Sequence, residues 1–149
     1  MASFSLYYTA IFLHSFYNFP YFEISSIDLN AGIVKQIALS PTEDTFSVHV
    51  ANDGILVYNT ENTVPIASLG LDAKEMPHVR TITYCNRGTF IAVVLKNSVM
   101  IFESHTGSLI ATLKDQKVLG PVVFDPRHHS LFIATQDGNP QLQFFPFGE

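Results

Sequence analysis

The sequence predicts an all-β fold, a row of about 3 to 3.5 four-stranded antiparallel sheets. Three observations predict it. Four aromatics that close apolar runs, Tyr17, Tyr58, Phe102 and Phe144, stand 41, 44 and 42 residues apart. The runs are short, rich in Val, Ile, Phe and Thr, and bounded by turn residues, as strands are. Apolar positions do not recur at i, i+3 and i+4 over the dozen or so residues that a helix-pair repeat needs.

The repeat has three clear copies: Val34 to Leu69, Val79 to Leu113, and Leu119 to Phe147. Each carries an apolar strand, a polar turn, a second strand, another turn and a third strand ending in an aromatic. The first two copies add a fourth strand. Residues 34–149 thus form the repeat region, with units at 34–69, 79–113 and 119–147. Residues 1–33 form an amino-terminal partial unit of apolar strands. Its third-strand segment runs to Tyr17-Asn18 and is followed by "YFEISSIDL".

The turns have a chemical rationale. "SPTEDT" and "DPRHHS" place Pro second, where its fixed φ suits the first central position of a turn. "NDG", "DGN" and "SHTG" put Gly at tight turns, beside Asn or Asp in the first two. Only Gly, and to a lesser degree Asn and Asp, accepts positive φ easily. A period of about 40–45 residues with four strands per unit marks propeller blades.

Over roughly residues 12 to 147 the chain resembles WD40-repeat proteins. In that family the third strand of a blade ends in Trp-Asp. Here Tyr58-Asn59 and Phe102-Glu103 take those places, and "SVMIFESHTGSLIATL" is the nearest match to a blade's second half. The resemblance implies a partial WD40-like β-propeller, with Tyr58 and Phe102 buried between sheets and Tyr58 packing beside the next blade. The sequence departs from the pattern in having no Trp and no Gly-His pair, although His78 precedes Val79 near that position. The side-chain tetrad of standard blades is therefore not expected. The "FRRG" signature of phosphoinositide-binding propellers is absent as well. The segment "FDPRHHSLFIATQDGNPQLQFF" is similar to part of a WD-repeat subunit of the nucleolar small-subunit processome.

Composition limits function. Hydrophobic residues are 47% and charged residues 14% of the 149, which excludes a disordered chain and permits one real core. Net charge is −5 and no basic run occurs. Direct DNA or RNA binding, which needs many phosphate-neutralising cations, is not expected. The single cysteine, Cys85, cannot form an internal disulfide, and the chain is expected inside the cell, in nucleus or cytoplasm. The aromatic amino end lacks the basic flank of a signal peptide. His14, Asn18 and Pro20 break it before membrane-spanning length, so no membrane role is expected.

No catalytic, cofactor-binding or metal site is predicted, and no cofactor. Cys85 reads as a small buried hydrophobe. His128-His129 is the most tempting pair, but adjacent strand residues point to opposite faces and no third ligand is in register. Asp125 reads as a turn residue bonding backbone amides. Asp53 and Asp137 precede Gly in turns without the ligand alternation of a calcium loop. His49, in "FSVHVA", reads as a strand residue. Gly70, Gly88, Gly107 and Gly120 stand alone, so no phosphate loop is formed.

About 3.5 units fall short of the roughly 4–8 blades that close a ring. The chain is expected to be part of a longer propeller, to self-associate, or to complete a partner's propeller. Three functions follow. The first is a non-catalytic scaffold for protein–protein interaction, with protein partners. The second is a subunit of nucleolar pre-ribosomal assembly, as the carboxyl-terminal resemblance implies. The third is a fragment of a propeller enzyme, since fold does not decide function.

Overall fold

The computed structural model describes residues 2–6, 10–15, 22–28, 33–51, 53–61, 64–114, 117–137 and 139–147. The described residues make four antiparallel sheets in sequence order, with no strand among them crossing from one sheet to another. Sheet 1 holds β1 (Ala2–Leu6), β2 (Ala10–Ser15) and β3 (Phe22–Asp28). Sheet 2 holds β4 (Val34–Leu39), β5 (Thr45–Val50), β6 (Gly54–Asn59) and β7 (Pro65–Leu69). Sheet 3 holds β8 (Thr81–Tyr84), β9 (Phe90–Val94), β10 (Val99–Glu103) and β11 (Leu109–Leu113). Sheet 4 holds β12 (Val123–Phe124), β13 (Ser130–Asp137) and β14 (Asn139–Pro146). A 3-10 turn, Met76–His78, lies between sheets 2 and 3. Tyr17-Asn18 lies outside the described residues.

Strand pairing fixes which side chains share a face. In sheet 2 Phe46 pairs with Tyr58 and Ser47 with Val57. Because side chains alternate along a strand, Phe46, Val48, Val50 and Tyr58 form one buried cluster. Ile55 and Val57 belong to another, shared with Tyr84, Ile91, Val93 and Phe102 of sheet 3. A third cluster joins Ala92, Val94, Val99 and Ile101 of sheet 3 to Phe124, Leu131 and Ile133 of sheet 4. Two of these layers lie on the two faces of sheet 3, and the third covers the face of sheet 2 that looks away from it. Strand β5 is buried along its whole length, so its polar residues Thr45, Ser47 and His49 lie inside.

Two expectations change. Tyr58 is buried, but on the face of sheet 2 that looks away from sheet 3, its ring stacked on Phe46 at 5.3 Å. It does not pack beside the next sheet. Phe102 likewise faces the preceding sheet, pairing with Ile91 in the layer shared with sheet 2. The fourth member of the series is Phe145, not Phe144. Phe145 pairs with Leu131 and packs on the layer between sheets 3 and 4. Phe144 pairs with Phe132 on the opposite face and is exposed. Two adjacent aromatics look alike to a count of spacing, and a one-residue difference in register reverses the face.

Antiparallel strands place successive turns at alternate ends. The first-to-second and third-to-fourth strand turns of each unit share one end, here called the near end. The second-to-third turns and the links between sheets share the other, the far end.

Candidate functional site

The near end is stitched across the boundary of sheets 2 and 3. In the β4–β5 turn the Ser40 and Thr42 hydroxyls lie 2.8 Å apart, and the Thr42 hydroxyl donates to Asp44. The other Asp44 oxygen meets His105 Nε2 at 3.1 Å. His105 Nδ1 faces the Ser104 hydroxyl at 3.0 Å, and that hydroxyl donates to the Gly88 carbonyl at 2.6 Å. Burial alone would raise the Asp44 carboxyl, but hydrogen bonds from Thr42, Ser40 and His105 hold it below its ordinary value. Glu103 behaves similarly. Its partial burial is outweighed by the hydroxyl and backbone amide of Thr106.

Two glycines make this boundary possible. Gly88 and Gly107 both have φ of 72°, a conformation that suits Gly. A Cβ on Gly88 would collide with the Ser40 hydroxyl, and one on Gly107 would stand 2.6 Å from the Ser68 carbonyl oxygen. The adjoining turns can approach only because no side chain intervenes.

Deeper in the same boundary, Tyr84 reaches toward the polar edge of β5. Burial pushes its phenol up to about 12, opposed in part by the hydroxyls of Thr45 and Ser47. None of these three hydroxyls completes a hydrogen bond of good geometry. Burial also lowers the ionisation of His49, with Lys35 adding to the effect, and its Nε2 is buried without a partner.

The residues singled out in the sequence do not converge. Cys85 is buried, its sulfur accepting from the Phe90 amide at 3.3 Å. Asp125 accepts from the Arg127 amide at 2.8 Å and meets His128 Nδ1 at 3.1 Å. Those two bonds hold its carboxyl below the ordinary value. His129 instead stacks on Phe147 at 6.0 Å, so the adjacent histidines serve different partners. A small pocket of about 30 Å³ between Cys85, Phe90, Phe124 and His128 has room for little more than a water molecule. The Asp53 amide closes a turn onto the Val50 carbonyl. The side chain of Asp137 lies outside the described residues. His78 is exposed, at the far end. Among the described residues no group of three or more His, Cys, Asp or Glu could hold a metal ion, and no helix is long and apolar enough to cross a membrane.

Two groupings escaped the sequence reading. One is the near-end chain from Ser40 to His105. The other is a far-end groove of about 410 Å³ lined by Pro77, His78, Arg80, Lys96, Asn97 and Lys117. Each draws residues from separate turns, so no linear motif marks them.

Among the described residues, the outer face of sheet 4 is the most conspicuous apolar surface. Val123, Phe132, Leu142 and Phe144 share it and are 60, 37, 75 and 55% exposed. By register, Phe132, Leu142 and Phe144 match Ala92, Val99 and Ile101 of sheet 3, which sheet 4 covers completely.

No protein-family model matches the chain, and no curated protein matches it. Solved structures do. A chain in the crystal structure of a mitotic checkpoint complex matches over 99% of this chain and 46% of its own length, with TM-score 0.69 and 12% identity. The WD40 domain of SCAP from fission yeast matches over 73% of this chain and 29% of its own, at TM-score 0.55 and 18% identity. The WD40 repeats of RRP9 match over 68% and 32%, at TM-score 0.57 and 12% identity. The fold is that of a WD40-type propeller, in part: the chain spans less than half the length of each of these structures.

Proposed function

We propose that the chain is a non-catalytic protein–protein interaction module, four sheets of a propeller whose outer sheet-4 face receives a further propeller blade. The observation that carries this is the exposed row Val123, Phe132, Leu142 and Phe144. Sheet 3 buries the matching face under sheet 4, so the surface already has the shape that packs against a sheet of this kind. Covering it removes apolar area from water at about 25 cal/mol per Å². Strand β14, at the sheet edge, also offers backbone N–H and C=O groups to a neighbouring strand. The units 34–69, 79–113 and 119–147, with 1–33 as a partial unit, act as the repeating elements of this scaffold. Protein partners in the nucleus or cytoplasm suit it.

The test is light scattering on the purified chain. Self-association that is abolished by Leu142→Glu with Phe144→Glu, at an unchanged far-ultraviolet spectrum, supports the reading. So does conversion to a soluble complex on co-expression with further propeller blades. A monodisperse monomer with one sharp unfolding transition overturns it.

A narrower reading, a role in pre-ribosomal assembly, is supported by the resemblance of Phe124 to Phe145 to a processome subunit. Likeness to the RRP9 structure is compatible with it. Co-sedimentation with pre-ribosomal particles tests it, and strict absence from them removes it.

A further inference from the structure

The far-end groove presents a charge problem. The chain carries a net charge of −5 and only 8 Lys and Arg, yet Arg80, Lys96 and Lys117 line this one depression together with His78. All four are exposed. Among the described residues, the three ion pairs involve His105 or His128, and no carboxylate pairs with Arg80, Lys96 or Lys117. Cations gathered in one depression repel one another, and an arriving anion relieves that repulsion.

The groove is also partly organised. Arg80 Nη1 donates to the Val118 carbonyl at 2.8 Å, which fixes the guanidinium between sheets 3 and 4 and leaves other N–H donors of its planar fork for a carboxylate. Arg80 further borders a second depression of about 310 Å³ with Thr81, Val94, Gly120 and Pro121. Asn97 supplies an amide able to donate to and accept from a peptide backbone.

We propose that this groove binds an acidic peptide segment of a partner protein. Carboxylates lie on Arg80, Lys96 and Lys117, and a neighbouring aliphatic side chain enters the depression beside Val94 and Pro121. A peptide suits the groove better than nucleic acid. Three cations on an acidic protein neutralise too few phosphates for useful affinity, and no Phe, Tyr or Trp lines either depression to stack a base. None of the groove's lining residues belongs to the exposed row on sheet 4.

Fluorescence anisotropy with the full chain and a short labelled peptide of alternating Glu and Val tests this. Saturable binding that weakens by about tenfold or more in Lys96→Glu with Lys117→Glu is expected. The companion variant Arg87→Glu with Arg127→Glu, which makes the same charge change at the near end, should bind as the native chain does. Should charge reversal disturb the far-ultraviolet spectrum, Lys96→Gln with Lys117→Gln gives the same comparison with a smaller loss. Equal weakening by both charge-reversal pairs would reduce the effect to net charge and overturn the site. So would absence of binding to the native chain, equal binding of a Gln-Val peptide, or tighter binding of a single-stranded oligonucleotide.

Discussion

Asp44 and His105 lie 61 residues apart in sequence and meet at 3.1 Å across the boundary between sheets 2 and 3. Both side chains are nearly half exposed, so solvent screens the pair. Asp44→Ala is expected to cost no more than about 1 kcal/mol. The glycines beside the pair matter more. Gly107→Ala sets a methyl against the Ser68 backbone carbonyl at positive φ, and a loss of about 1–3 kcal/mol is expected. Denaturant unfolding of the two variants side by side checks the ranking. A larger loss from Asp44→Ala would show that charge, not close approach, holds this boundary.

Phe102→Ala removes a fully buried ring from the layer between sheets 2 and 3 and should cost about 3–5 kcal/mol. Phe144→Ala should leave stability within about 0.5 kcal/mol of the native chain, because its ring is exposed on sheet 4. Equal losses at the two positions would contradict the assigned register.

Tyr84 gives the alkaline limit. Its folded value near 12 lies above the ordinary 10.0, so the folded state holds the phenolic proton more tightly than the unfolded state does. The resulting stabilisation is complete below pH 10 and is lost as pH rises toward 12, by about 3 kcal/mol in all. Tyr84→Phe should flatten that fall, as followed by thermal melts from pH 9 to about 12.

His49 acts on the acid side. Burial holds its folded value below 6.5, so the unfolded state binds the proton more readily. Its contribution is complete above pH 6.5 and is lost as pH falls through the depressed folded value. Asp44 and Glu103, also lowered, add a second loss below their ordinary values of 3.8 and 4.5. His49→Gln should remove the first phase and leave the second.

Glu43 is the one described residue other than glycine with positive φ, at 60°. Glu43→Gly should stabilise the β4–β5 turn by about 0.5–1 kcal/mol through relief of that conformation. Loss of stability would mean that the longer side chain contributes more than the strain removes.

The sequence by itself determined the class of fold. Strand-length apolar runs, glycine turns and aromatics repeated at 41 to 44 residues all follow from local chemistry, and local chemistry is written along the chain. It also marked Asp125 as a turn residue, and its carboxylate does accept from the Arg127 amide. Only the tertiary structure decided which face each strand residue occupies. Phe144 and Phe145 are indistinguishable in sequence, and pairing with β13 buries one and exposes the other. The Asp44–His105 contact and the gathering of Arg80, Lys96 and Lys117 were likewise invisible, because each unites turns from different sheets. Such sites arise when separate turns are brought to one end of a stack, and no spacing along a single strand records that proximity.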